Sequence, residues 1–205
     1  MWRGQTCFIV GGGPSVTRAD VSHLEGRRVI VVNRALTIAP WADILFFWDC
    51  GFWTTWLSDI RAFNGLRVTA CERHRDSQEL HVLRRDLDQC GIGTDPSVIR
   101  FNKSSGACAI ELARHLGAKR IVLVGFDMRQ VGRRHNFHND YPNPTKRPDH
   151  DKYAAMLEVF PQIATDLAAQ EIECINATPG SAITQFPVMT LDEALAQEGA
   201  QACAS

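Results

Sequence analysis

Histidine is the side chain best suited to move protons near neutral pH. His135, His138 and His150 stand in or beside one polar stretch, together with Asp140 and Asp151. His138 and His150 are the candidates for a general base acting on an acceptor hydroxyl. Arg133 and Arg134, in the same stretch, are candidates for contacting phosphate oxygens. His135-x-x-His138 with His150 also has the residue types of a transition-metal site, without cysteines or a fixed spacing. A solvated polar loop is the plain alternative. Two carboxylates, Asp49 and Asp127, follow apolar runs. Such a pair can hold Mg²⁺ against substrate phosphates, accept ribose hydroxyls or cap loops.

A second group of residues suits an anion. The apolar run Cys7–Val10 ends in Gly11-Gly12-Gly13-Pro14-Ser15. Glycines permit positive φ and let backbone amides approach a ligand, and Pro and Ser suit the start of a following helix. Such a turn at the carboxyl end of a strand is an anion cradle. Ser104-Ser105-Gly106 is a second amide-rich helix start. The two turns could hold the two ends of one nucleotide; an ordinary helix cap is the alternative. Two familiar motifs are excluded. The dinucleotide fingerprint needs glycine where Val16 stands and an acidic residue where Asn33 ends the second strand, which removes NAD. The chain also lacks the G-x-x-x-x-G-K-[ST] of a P-loop.

Short β-rich runs that must position these groups alternate with helical patterns. Strands are expected at Thr6–Val10, Arg28–Asn33, Ala42–Trp48, Leu66–Ala70, Ser97–Phe101, Arg120–Gly125 and Ile172–Asn176. Helices are expected at Asp20–Leu24, Phe52–Ala62, Ser77–Asp88, Ala107–Leu116, Asp151–Ala169 and Leu191–Gln197. Continuous apolar runs such as Ile121-Val122-Leu123-Val124 belong to strands buried on both faces, hence parallel. The alternation predicts a doubly wound, mostly parallel α/β sheet of the Rossmann-like kind. One domain is expected over residues 1–198, with a frayed tail over 199–205. Ligands of such a sheet bind beyond the carboxyl ends of the strands, where Gly11–Ser15, Asn33, Asp49, Ser104–Gly106, Asp127 and Asn176 all fall. The proline-punctuated stretch Arg129–Asp149 breaks the alternation and is expected to be a lid, over about 129–150.

The 205 residues are 45% hydrophobic, enough for a sizeable core. A net charge of -1, from 22 basic and 23 acidic residues, excludes a general attraction to nucleic acid or membrane surfaces. The 7 cysteines form no C-x-x-C pair, and Cys7, Cys108 and Cys174 sit in apolar runs. That argues against a zinc knuckle and a disulfide scaffold, and for a reducing compartment. The first residues lack the apolar segment of a signal peptide, and no run is long enough to span a bilayer. The expectation is a cytoplasmic protein with a small-molecule substrate, with self-association into a homo-oligomer left open. Trp41, Trp48, Trp53 and Trp56 are expected to pack the core and its helices.

The order of these motifs resembles the MptE-like family (domain of unknown function 115), which includes archaeal 6-hydroxymethylpterin diphosphokinases. It also resembles the single-domain bacterial sialyltransferases of the Campylobacter type. Gly12-Gly13-Pro14-Ser15, Asn33, Ala42–Asp49 and Ser104–Asp127 carry the resemblance, which covers roughly residues 6–190. Small members of this kind are frequent in phage and prophage genomes, which would place the chain in a host cytoplasm. The resemblance implies nucleotide binding across the two glycine turns. Asn33 and Ser105-Gly106 match the sialyltransferase nucleotide contacts. Gly12 and Asp49 stand where those enzymes have asparagines, and an aspartate at 49 is friendlier to a metal-bound phosphate than to a sialic-acid donor. His150 is the nearest counterpart of the sialyltransferase base. The paired tyrosines of that lid are missing, Tyr141 and Tyr153 being the only tyrosines.

The resulting expectation is a nucleotide-dependent transferase. Glycosyl transfer from a nucleotide-sugar donor, with a lid histidine as base, leads. Mg²⁺-dependent diphosphate transfer and non-catalytic nucleotide binding are the alternatives.

Overall fold

Strands that are apolar along their whole length need cover on both faces, and the chain supplies it with helices between them. The computed structural model describes residues 1–141 and 149–202. In chain order the elements are β1 (Thr6–Val10), α1 (Arg18–Ser22), β2 (Arg28–Val32), β3 (Ile44–Phe47), α2 (Cys50–Thr55), α3 (Leu57–Ala62), β4 (Leu66–Thr69), β5 (His81–Val82), β6 (Arg84–Asp86), β7 (Val98–Arg100), α4 (Ser105–His115), β8 (Arg120–Val124), α5 (Asp149–Leu157), α6 (Phe160–Ala169), β9 (Glu173–Asn176) and α7 (Leu191–Ala202). Short 3-10 turns cover Asn33–Thr37 and Glu72–His74.

The main sheet has seven strands in the order β5-β4-β3-β2-β1-β8-β9, every pairing parallel. The expected doubly wound α/β fold is therefore the observed one. Alternate residues of each strand enter opposite cores. Cys7, Ile9, Ile121 and Leu123 pack with α4 and α6; Phe8, Val10, Val122 and Val124 pack with α1, α3 and α7. Each fully buried aliphatic or aromatic side chain contributes about 1.5–3 kcal/mol relative to exposure. The strand order reverses between β1 and β8, so a crevice opens there at the carboxyl edge.

Several boundaries differ from the sequence reading. The helix expected over Ser77–Asp88 is absent. Instead β5 adds an edge to β4, with Leu83 N–H donating to Thr69 O at 2.9 Å, and β6 pairs with β7 in a separate two-stranded sheet. Edge pairing outweighs a short helical pattern that gains no apolar face. The strand expected over Ser97–Phe101 thus joins β6, outside the main sheet. The helix over Phe52–Ala62 breaks at Trp56, and the one over Asp151–Ala169 breaks before Phe160, where Pro161 sits in a new first turn. Pro14 and Ser15 do not open α1: Thr17 caps it, in a capping box with Asp20. The expected tail from Gly199 is helical through Ala202.

Candidate functional site

The three glycines after β1 are used for close packing. None of them has positive φ. A Cβ on Gly11 would lie 2.7 Å from Gly125 O, and one on Gly13 would lie 2.0 Å from Asp127 Oδ2. Gly11 N–H donates to Val124 O and Gly13 N–H to Gly125 O, both at 2.8 Å. Ser15 donates its hydroxyl to Asp127 Oδ2 at 2.9 Å and its amide to the same oxygen at 3.4 Å. The expected amide cradle therefore shrinks to Gly12, whose N–H has no partner among the described residues. Gly11, Gly13 and Ser15 clamp β1 to β8 across the crevice floor.

Ser104 is the cap of α4, its Oγ accepting Ala107 N–H at 3.2 Å. Ser105 Oγ accepts Trp48 N–H at 3.3 Å, which ties the start of α4 to the end of β3. Both hydroxyls are thus structural. First-turn amides lack intrahelical partners, so Ser105 and Gly106 still offer theirs to a ligand. The two glycine turns do come together. The Phe126 ring would lie 3.1 Å from a Cβ on Gly11 and 2.9 Å from one on Gly106, so it separates and packs both.

Backbone strain concentrates at the same edge. Among the described residues four non-glycine residues have left-handed φ, and Asn33 (52°), Lys103 (60°) and Met128 (48°) follow β2, β7 and β8. Such conformations persist where surroundings enforce them, often at functional sites. Asn33 Oδ1 is also buried without a hydrogen-bond partner among the described residues.

Asp49 stands at the cap position of α2, exposed and making no capping bond. It lines a pocket of about 320 Å3 with Trp48, Cys50, Glu72, Arg73 and Arg85. Cys50 and Cys71 are joined in a disulfide, with Cα atoms 5.2 Å apart. The expectation of no disulfide scaffold and a reducing compartment did not anticipate this pair; Cys7, Cys108 and Cys174 are buried and free, as expected of small hydrophobes. Asp127 is 2% exposed and its Oδ2 is committed to Ser15. One oxygen of Asp127 is thus already engaged, and no group of three or more His, Cys, Asp or Glu converges among the described residues.

The described part of the stretch expected as a lid lies against this edge through Asn136 and Phe137. Phe137 N–H donates to Gly12 O at 3.1 Å, and Asn136 Oδ1 faces Gly12. His138 packs between the rings of Phe137 and Tyr141, with centroids 4.8 and 4.7 Å away. Its Nδ1 accepts the Asp140 N–H at 3.2 Å. Burial holds its pKa below the usual histidine value, and Arg34 adds to this against the opposing pull of Asp140. Burial of the Tyr141 hydroxyl pushes it up to about 12; Arg34 opposes this, while Asp49 and Asp140 reinforce it. His135 stacks on Tyr153 of α5.

Arg133 and Arg134 are exposed on a small turn, where Val131 and Arg134 exchange backbone hydrogen bonds, and Arg134 donates to Phe137 O. The geometry assigns them no place in the crevice. His150 falls in the first turn of α5, and its side chain lies outside the described residues, as do lid residues 142–148. Arg34 and Asp59 were not singled out in the sequence. Their signal was an arginine inside the apolar run Val29–Ile38, which a buried guanidinium can occupy only with carboxylate partners.

No family model matches the chain, and no curated protein matches it. Solved structures do. The sialyltransferase CstII from Campylobacter jejuni, in complex with the substrate analogue cytidine-5'-monophosphate, superposes with a TM-score of 0.56 at 15% identity, over 92% of this chain and 86% of that one. The sialyltransferase CST-II in complex with a trisaccharide acceptor and CMP gives a TM-score of 0.50 at 16% identity, over 91% and 86%. At this identity the likeness establishes the fold. No helix among the described residues is long and apolar enough to cross a membrane.

Proposed function

We propose that this chain transfers a sugar from a nucleotide donor of the cytidine monophosphate type to an acceptor hydroxyl. Asn33 carries the reading. It ends β2 in a left-handed conformation, and its buried Oδ1 has no partner among the described residues. Leaving a buried acceptor unpaired costs about 1–3 kcal/mol. A base amine or ribose hydroxyl of a nucleotide would recover that. The fold shared with two CMP-bound structures of a sialyltransferase supports the choice of nucleotide. The free amides of Gly12, Ser105 and Gly106 suit anionic oxygens.

Catalysis would rest on positioning and on stabilising charge. His150, by its resemblance to the sialyltransferase base, removes the acceptor hydroxyl proton. That oxygen bonds to the anomeric carbon while the bond to the nucleotide phosphate breaks, and the nucleotide leaves as an anion. His138 is the weaker of the two base candidates. The Asp140 amide occupies its Nδ1, so the neutral ring carries its proton on Nε2 and donates there.

Thermal unfolding with CMP, a CMP-linked sugar and ATP, with and without Mg²⁺, tests this. A ligand at a hundred times its Kd adds about 2.7 kcal/mol of stability. The expected result is a rise with CMP and the CMP-linked sugar without Mg²⁺, weakened in Asn33→Ala. A rise with ATP and Mg²⁺ alone favours diphosphate transfer, and no rise with any nucleotide overturns the reading.

A further inference from the structure

Arg34 is the charged group in this edge that the transferase reading leaves unused. It follows Asn33 and has a side chain only 8% exposed. A guanidinium held out of water needs carboxylate partners. Arg34 has two, on different elements. One is Asp59 of α3, through Nη1. The other is Asp140 of the lid, reached by Nε at 3.1 Å and Nη2 at 2.8 Å. The guanidinium also lies 4.0 Å from the centroid of the Trp56 ring, where cation–π attraction holds it. The anchor on the sheet side is therefore rigid, and the lid residue is the part it restrains.

Asp140 passes that restraint to His138. Its peptide N–H donates to His138 Nδ1 at 3.2 Å, and its carboxylate lies 3.7 Å from the same nitrogen. A nitrogen that accepts an N–H keeps its lone pair, so the neutral ring is protonated on Nε2. Nε2 has no hydrogen-bond partner among the described residues. Phe137 and Tyr141 fix the plane of the ring. The Gly12 carbonyl holds the same segment through Phe137 N–H at 3.1 Å. His138 is thus held beside the turn that offers a free amide.

We propose that Arg34 is a positioning residue: by gripping Asp140 it locks His138 in the Nε2–H tautomer, as a hydrogen-bond donor to an oxygen of the bound ligand. The grip itself is independent of what the ligand is. That the ligand is a nucleotide donor rests on the transferase reading. A donor of this kind stabilises a phosphate oxygen without transferring its proton, so no base chemistry passes through His138.

Nitrogen spectra of the full chain with ¹⁵N-labelled histidine, without ligand, read the lock directly. His138, assigned by its loss in His138→Gln, should show a protonated Nε2 and an unprotonated Nδ1 near pH 7.5. Arg34→Gln and Asp140→Asn should each give a mixture of tautomers. If Arg34→Gln does not fold, Asp140→Asn, on the lid, carries the test. CMP titration is the second arm. Each of these variants should bind about tenfold more weakly, a loss of about 1.4 kcal/mol, and the double variant no more weakly than the weaker single. His138→Gln, which keeps an N–H donor, should bind more tightly than His138→Phe. A protonated Nδ1, or an unchanged spectrum in both folded variants, overturns the lock. Additive losses overturn the coupling, and equal affinity of His138→Gln and His138→Phe overturns the donor role. A wild-type chain that ignores CMP removes the nucleotide reading, while the spectra still judge Arg34.

Discussion

Ser15 and Asp127 are 112 residues apart in the chain, and their side chains meet at 2.9 Å. The contact joins the turn after β1 to the end of β8, the two strands between which the sheet reverses. It explains why the residue before Pro14 must be glycine. Asp127 Oδ2 and Gly125 O occupy the space a side chain at 13 would need, at 2.0 and 2.5 Å from its Cβ.

Gly13→Ala should therefore destabilise the chain by about 1–3 kcal/mol, the range for extra atoms forced into a packed site. At Gly12 a Cβ would meet only Asn136 Oδ1, at 3.6 Å. Gly12→Ala should stay within about 0.5 kcal/mol of wild type. Urea unfolding of both variants checks the difference. Equal losses would show that the glycine run is not packed as described.

The Cys50–Cys71 disulfide spans a separation of 21 residues, from the end of β3 to the end of β4. Closing a loop of that length removes about 3 kcal/mol of unfolded-state entropy. Urea unfolding with and without a thiol reductant should differ by about that amount, and Cys71→Ser should be insensitive to the reductant. Thiol titration of the folded wild type should find exposed Cys90 reacting readily and buried Cys7, Cys108 and Cys174 reacting slowly.

His115 gives the fold a defined response to acid. Its side chain is 3% exposed, its Nε2 donates to Val98 O at 3.0 Å, and its Nδ1 accepts from Arg114 at 3.2 Å. Burial lowers its pKa from 6.5, and Arg114 lowers it further against the Val98 hydrogen bond. The unfolded chain then binds the proton more readily than the folded one. The stability this gives is complete above about pH 6.5 and is lost as pH falls from there through the folded pKa. Buried His138 acts in the same direction. Glu111, whose pKa burial raises from 4.5, acts in the opposite direction as pH rises above 4.5. Comparing variants isolates the histidine: His115→Gln should lose less stability than wild type between pH 7 and pH 5. Parallel curves would contradict this.

The parallel sheet was legible because β1 and β8 are apolar on both faces, a pattern with few other uses. The strand-end residues Asn33, Asp49, Ser105 and Asp127 were legible for the same reason, since the sheet dictates where its carboxyl edge lies. What each of them does there was not. Ser15 and Asp127 read as two separate ligand contacts, yet each satisfies the other. Residues Ser77–Asp88 read as a helix because nothing in their own pattern shows that β4, 13 residues earlier, leaves an open edge for His81 and Val82. The bond from Arg34 to Asp140 has no local signature either. It links a strand end to a residue 106 positions away, and only the fold brings them together.

The transferase claim is tested most directly by incubating the chain with CMP-linked sialic acid and a set of sugar acceptors, following free CMP and the acceptor mass together. The expected result is CMP release matched one for one by acceptors that gain the mass of the sugar, lost in Asn33→Ala and in His150→Ala. Binding of CMP with no release and no mass gain, in a chain whose folding is intact, would contradict it and leave a nucleotide-binding protein without turnover.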